Sequence, residues 1–181
     1  MSTVTHLEMA ELEQNLEEIR DSPKEEGKLA LIVRRPQSGE REVIEAGELT
    51  VAEGLAGDNW STRTPDAPLE PERQLTIMNS RVAGLLAQDE GRWELFGDQL
   101  YIDLELSETN LPVGTRLELG GAVIEVTPID HTGCKKFADR FGVDAVKFVS
   151  TPEGKEMRLR GMYAKVVQPG PIRAGDVVRK L

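Results

Sequence analysis

The chain has 181 residues, 39% hydrophobic and 30% charged, with a formal net charge of -10. That length suits one domain, perhaps with an appended arm, and the composition is that of a soluble globular protein. Such an acidic balance argues against nucleic acid and anionic membranes as partners, and no apolar run approaches the roughly 20 residues of a bilayer span.

Residues 1–27 carry eight acids against two bases, a net charge of -6. They contain no basic stretch followed by an apolar one, so they do not read as a secretory leader, and the expected compartment is the cytoplasm. Leu12, Leu16 and Ile19 fall four and three apart, which predicts an amphipathic helix over 8–20. "DSPKEEGK" ends it, so 1–27 is expected as an acidic helical extension and 28–181 as the main domain. "KLALIVRR" (28–35) predicts a strand, "PQSGE" a turn and "REVIEAGELT" (41–50) the returning strand. Residues 51–73 hold Gly54, Gly57, Pro65, Pro68 and Pro71 without periodicity, the mark of a long functional or disordered loop. "QLTIM" (74–78) predicts a strand, with Asn79 capping a helix in "SRVAGLLAQ".

"QLYIDLEL" (99–106) alternates as a strand, and 115–128 predicts a hairpin turning at Gly120-Gly121. Phe137 and Phe141, four apart, predict a short helix just beyond Cys134, and "DAVKFVST" another helical turn. "GMYAKVVQPG" and "DVVRKL" predict closing strands joined through "PGPIRAGD". With six to eight short strands, often adjacent in sequence, the expected fold is mainly β (α+β): a closed or partly closed antiparallel barrel with a few short helices and the N-terminal helix.

Cys134, the only cysteine, lies in "HTGCKKFADRFG" (131–142). One cysteine makes no intramolecular disulfide and no Cys-based zinc site, and His6 and His131 are too few for a histidine-rich metal site. The common role of a lone cysteine in such a domain is inert filler. The surroundings point elsewhere. "TGC" reads as a turn leading into a helix, and Lys135, Lys136 and His131 stand beside the thiol as cations that stabilise a thiolate. Residues 131–165 hold eight bases against four acids, a net charge of +4, which suits a small anionic ligand. A thiolate there can attack a substrate, carry a persulfide or ligate a soft metal. A cysteine-histidine hydrolase is disfavoured, since such dyads are built from distant segments.

In "EGLAGDNW" (53–60) two glycines permit close backbone approach to a ligand, with Asp58 and Asn59 to bond it; the alternative is a tight loop satisfying its own backbone. Arg158 and Arg160 can grip a phosphate, or else sit in water on an edge strand.

"EGLAGDNW", "GDQLYIDLELSETNLPVGTRLELGGAVIEVT" (97–127), "HTGCKKF" and "RGMYAKVVQPGPIRAGDVV" follow one another in the order of a MOSC domain. Residues 28–181 resemble this module, found at the C-terminus of molybdenum cofactor sulfurases and as stand-alone bacterial proteins. The resemblance implies a barrel-like β fold that binds the molybdenum cofactor or a related sulfur- or metal-bearing species. It gives Cys134 the role of persulfide carrier or molybdenum ligand. It makes Lys135, Lys136, Arg158 and Arg160 contacts for the cofactor phosphate, gives Asp58, Asn59, Asp98 and Gln99 the pterin to recognise, and counts His131 among the cofactor-binding residues. The sequence differs from many members in reading "DHTG" where they have Arg-x-Pro before the cysteine, and Gly-Asp-Gln where they have Gly-Glu-Asn. No pyridoxal-phosphate sulfurase segment is evident, so a separate desulfurase is expected to supply sulfur. A small molybdoenzyme reducing N-hydroxylated compounds, fed by an electron-transfer partner, is the second reading; a non-catalytic barrel that binds a ligand is the third.

Overall fold

A computed structural model describes residues 4–181, so the first three residues of the acidic extension lie outside the described residues. Seven strands close a ring: β1 (Glu26–Arg34), β5 (Leu75–Asn79), β6 (Leu100–Asp103), β7 (Arg116–Leu119), β8 (Ala122–Asp130), β9 (Met162–Gln168) and β11 (Val177–Lys180). Around the ring the order is β11-β7-β8-β9-β5-β6-β1, and β1 pairs back to β11 to close it. Short β2 (Glu42–Ile44) folds back on β1 as the "PQSGE" turn predicts. A second small sheet joins β3 (Ala46–Thr50), β4 (Gly54–Leu55) and β10 (Gly170–Arg173).

The barrel is mixed rather than purely antiparallel, because β5 runs parallel to β6. A parallel pair needs a crossover of a dozen or more residues. Here it runs through α3 (Ser80–Ala87) and a 3-10 helix, Glu90–Phe96. Asn79 caps α3 as expected, its side chain accepting from the amide of Arg81 at 2.8 Å.

Two apolar layers explain the strand patterns. Leu29, Ile77, Leu100, Ile102, Ile124 and Ala164 fill the barrel. Val33, Met78 and Tyr101 point outward and are covered by helices. Strand β5 is therefore buried on both faces and reads as a continuous run instead of an alternating one. The covering layer includes α1 (Met9–Gln14) and α2 (Leu16–Arg20), which bury Leu12 and Ile19, together with α4 (Lys135–Phe141) and α5 (Val143–Ser150). The N-terminal helix expected over 8–20 is thus two short helices divided at Asn15. A further short helix, α6 (Pro152–Glu156), follows α5. Among the described residues no helix is long and apolar enough to cross a membrane.

Candidate functional site

Strand β8 leaves its partner β9 irregularly: their register shifts between Val126 and Asp130. The chain then runs through His131, Thr132 and Gly133 to Cys134, the N-cap residue of α4. Helix α4 is anchored by Phe137 and Phe141, both buried, the second stacked on Phe96 at 3.9 Å between ring centroids. That anchoring holds the start of the helix at the surface. Cys134 is exposed, its side chain makes no capping hydrogen bond, and Lys135 and Lys136 beside it are exposed too.

Residues 127–133 form one wall of a cavity of about 500 Å³. His131, Arg158 and Arg160, all predicted from sequence, line it together. Lys155, Asp130 and Glu108 join them, and sequence reasoning passed over these three. Asp130 adjoins His131 in sequence, whereas nothing in the sequence marks Glu108. The acids offset the bases, so the +4 of the segment is not concentrated in the cavity.

The cavity floor is a buried polar cluster. Asp98 is 1% exposed in its side chain; its Oδ2 accepts from Arg160 Nη1 at 2.7 Å, and its Oδ1 faces His131 Nδ1 at 3.6 Å. That second contact exceeds hydrogen-bond length, and Asp98 Oδ1, His131 Nδ1 and Arg160 Nε are all buried without partners. Arg160 also donates to the Phe96 carbonyl at 3.1 Å and lies over the Phe137 ring. The outer face of His131 packs on Tyr163, over which Arg73 sits. Burial lowers the His131 pKa to about 4; Asp98 opposes this, while Arg160, Arg35 and Arg73 add to it. At neutral pH the ring is therefore uncharged. It does not supply the cation that sequence reasoning placed beside Cys134, because burial disfavours its charged form.

Arg158 has a left-handed φ of 50°, and its Nη1 donates to the carbonyls of Leu106 at 3.1 Å and Leu111 at 2.6 Å. Burial lowers its pKa, against the pull of Glu108, Asp130 and Glu156. Much of its donor capacity thus ties the 106–111 loop to the cavity wall. Gln99 is buried, its Oε1 accepting from the Thr76 amide at 2.9 Å, which fixes the β5–β6 seam rather than facing the cavity. Asp58 is buried as well: Oδ1 accepts from Arg35 N and Nε at 2.9 Å, and Oδ2 from Arg35 Nη2 at 2.8 Å and Trp60 N at 3.0 Å. Asp58 is therefore satisfied through Arg35 and Trp60, while Asn59 Oδ1 is buried without a partner among the described residues. Asn59 donates its amide to the Arg35 carbonyl at 2.8 Å, and neither Asp58 nor Asn59 lines the cavity.

Gly161 sets the fit of His131. Its φ is 120°, and a Cβ there would lie 2.5 Å from the Ile77 carbonyl oxygen and 3.3 Å from His131 Nδ1. Gly161→Ala is expected to destabilise the fold by about 2 kcal/mol or more, from backbone strain and the clash together. Urea unfolding of the two proteins measures it; a loss under about 0.5 kcal/mol, the usual range of surface changes, would contradict this packing.

The family model described as MOSC domain matches residues 65–179. No curated protein matches the chain. Among solved structures, YuaD from Bacillus subtilis aligns with a TM-score of 0.62 at 16% identity, covering 84% of this chain and 94% of that one. YiiM from Escherichia coli aligns at 0.55 and 21% identity, covering 85% and 69%. YiiM from Geobacillus stearothermophilus aligns at 0.57 and 16% identity, covering 86% and 75%. At these identities the structures establish a shared fold.

Proposed function

The chain belongs to the MOSC domain family, and from that premise we propose that it binds the molybdenum cofactor or carries sulfur for it, with Cys134 as the reactive group. One observation carries this reading: a cavity wall ends at Gly133, and the next residue is an exposed thiol. The residues present fit a pterin cofactor. Asp130 and Glu108 offer acceptors to the amino and ring N–H groups of a pterin, and Lys155 and Arg158 offer positive charge. Among the described residues no group of three or more His, Cys, Asp or Glu side chains could hold a metal ion, so metal would arrive with its own cofactor ligands and take one bond from Cys134. When bound, such a group supplies a soft metal centre able to accept sulfur.

The sulfur-carrier branch balances without an oxidant. The Cys134 thiolate attacks the outer sulfur of a persulfide on a donor protein. The S–S bond of the donor breaks, its cysteine leaves as a thiolate, and Cys134 holds the persulfide. Lys135 and Lys136 stabilise the anionic forms of Cys134 on either side of the step.

The test is metal and pterin analysis of wild type and Cys134→Ser from a host that makes the cofactor, with a cyanolysis assay for persulfide on the same samples. Molybdenum with pterin, or labile sulfur, retained by wild type and lost from Cys134→Ser is the expected result. Equal content in both proteins, or none in either by any assay, overturns the reading.

A further inference from the structure

The 3-10 helix Glu90–Phe96 ends at Gly97, whose φ is 82°. A helix end leaves its last carbonyls without intrahelical partners. Here three in succession are each met by an arginine from a different part of the chain. Leu95 O accepts from Arg140 Nη1 at 2.7 Å, Phe96 O from Arg160 Nη2 at 3.1 Å, and Gly97 O from Arg35 Nη1 at 3.2 Å. A fourth, Arg41, lies against the same turn: a Cβ on Gly97 would be 3.3 Å from its Nη2.

Two of these four guanidinium groups are neutralised by buried carboxylates, Arg35 by Asp58 and Arg160 by Asp98. Among the described residues the other two hydrogen-bond backbone carbonyls, Arg140 to Leu95 and Arg41, through Nη1, to Glu40 at 2.8 Å. Arg41 Nε is buried with no partner among the described residues. A buried, unpaired donor on a charged group is costlier than the ~1–3 kcal/mol of a neutral one. Burial, and then the charges of Arg35 and Arg140, hold the Arg41 pKa below its ordinary value. In a chain with a net charge of -10, four arginines thus converge on one turn with two carboxylates, leaving an excess of two positive charges. Such an excess is the complement of a dianion, and guanidinium forks match phosphate oxygens.

We propose that Arg41 and Arg140 form a binding site for a phosphoryl dianion, free or as a terminal monoester, separate from the cavity beside Cys134. None of Arg35, Arg41 and Arg140 lines that cavity. Arg35 and Arg160, neutralised by their aspartates, hold the turn in place and leave the positive charge of the site to Arg41 and Arg140. The ligand accepts from Arg140 and from Arg41, and relieves the repulsion between them.

The experiment is calorimetric titration of the full chain, without cofactor, using inorganic phosphate and methyl phosphate as probes against sodium chloride at matched ionic strength. Phosphate is expected to bind wild type, and Arg41→Gln and Arg140→Gln each to weaken it about tenfold or more, equivalent to about 1.4 kcal/mol. Lys155→Gln, in the cavity, leaves it unchanged. Methyl phosphate binding as tightly as phosphate assigns the site to an esterified ligand; binding of inorganic phosphate alone assigns it to the free ion. No heat beyond that of chloride, full affinity in both arginine variants, or loss in Lys155→Gln instead, overturns the proposal. None of these outcomes bears on Cys134, so this site and the cofactor reading stand or fall separately.

Discussion

Replacing Asp98 by alanine is expected to cost about 3–5 kcal/mol of folding stability. The carboxylate is 1% exposed, and Arg160, its partner at 2.7 Å, is 10% exposed. Water cannot reach either well enough to stand in for the other. Removing the aspartate strands a guanidinium between the Phe137 ring and the Phe96 carbonyl. Asp98→Asn keeps an oxygen near Arg160 but not the charge, so its loss falls between zero and that of alanine. Removing both charges is a different matter, because an apolar pair of similar volume often replaces a buried ion pair at little cost. Asp98→Ala combined with Arg160→Met should therefore recover much of the single-mutant loss. Urea unfolding at pH 7.5 of wild type, Asp98→Ala, Arg160→Met and the double variant gives the coupling directly. A loss under 1 kcal/mol for Asp98→Ala, or losses that simply add in the double variant, would mean that the pair does not hold the cavity floor.

The pair also marks where sequence reasoning reached its limit. Local signals worked where the cause was local. Asn79 caps α3 because its own side chain reaches two residues on, and Phe137 with Phe141 specify α4 because four residues make one turn. The hairpin at Gly120-Gly121 and the barrel as a whole followed from alternation and turn chemistry. The parallel pairing of β5 with β6 was visible in principle, since a helical stretch separates two strands, but neighbouring strands in this chain otherwise pair antiparallel. The small sheet of β3, β4 and β10 joins segments more than a hundred residues apart and leaves no local trace. The same holds for the site. Its exposed thiol at the mouth of a helix was legible in "TGCKKF". That Asp58 would spend all its acceptors on Arg35 and Trp60 was not, because Arg35 lies 23 residues away. The missing charge on His131 was hidden for a similar reason: it is set by burial and by the charges of Arg160, Arg35 and Arg73, all distant in sequence.

That missing charge makes stability depend on pH. In the unfolded chain His131 titrates near the ordinary value of 6.5, and in the fold near 4. Above pH 6.5 the ring is neutral in both states and contributes nothing to the difference. As pH falls from about 6.5 to 4, the unfolded chain takes up a proton that the fold refuses. The unfolded state binds more protons throughout that window, so stability declines as pH falls and levels off below about 4. The full loss is about 3 kcal/mol, from a separation of some 2.5 pH units. Carboxylates titrate toward the lower end of the same range, so the His131 share must be isolated by difference. His131→Asn has a neutral side chain at every pH and keeps a polar group near Asp98. The stability gap between wild type and His131→Asn, measured by urea unfolding from pH 7.5 to 4, should therefore shift by about 3 kcal/mol in favour of the variant. A gap that stays constant across the range would show that the ring takes up its proton as readily in the fold as in the unfolded chain, and would place it in contact with solvent. If the shift is found, the wall leading to Cys134 is held by an uncharged histidine at neutral pH.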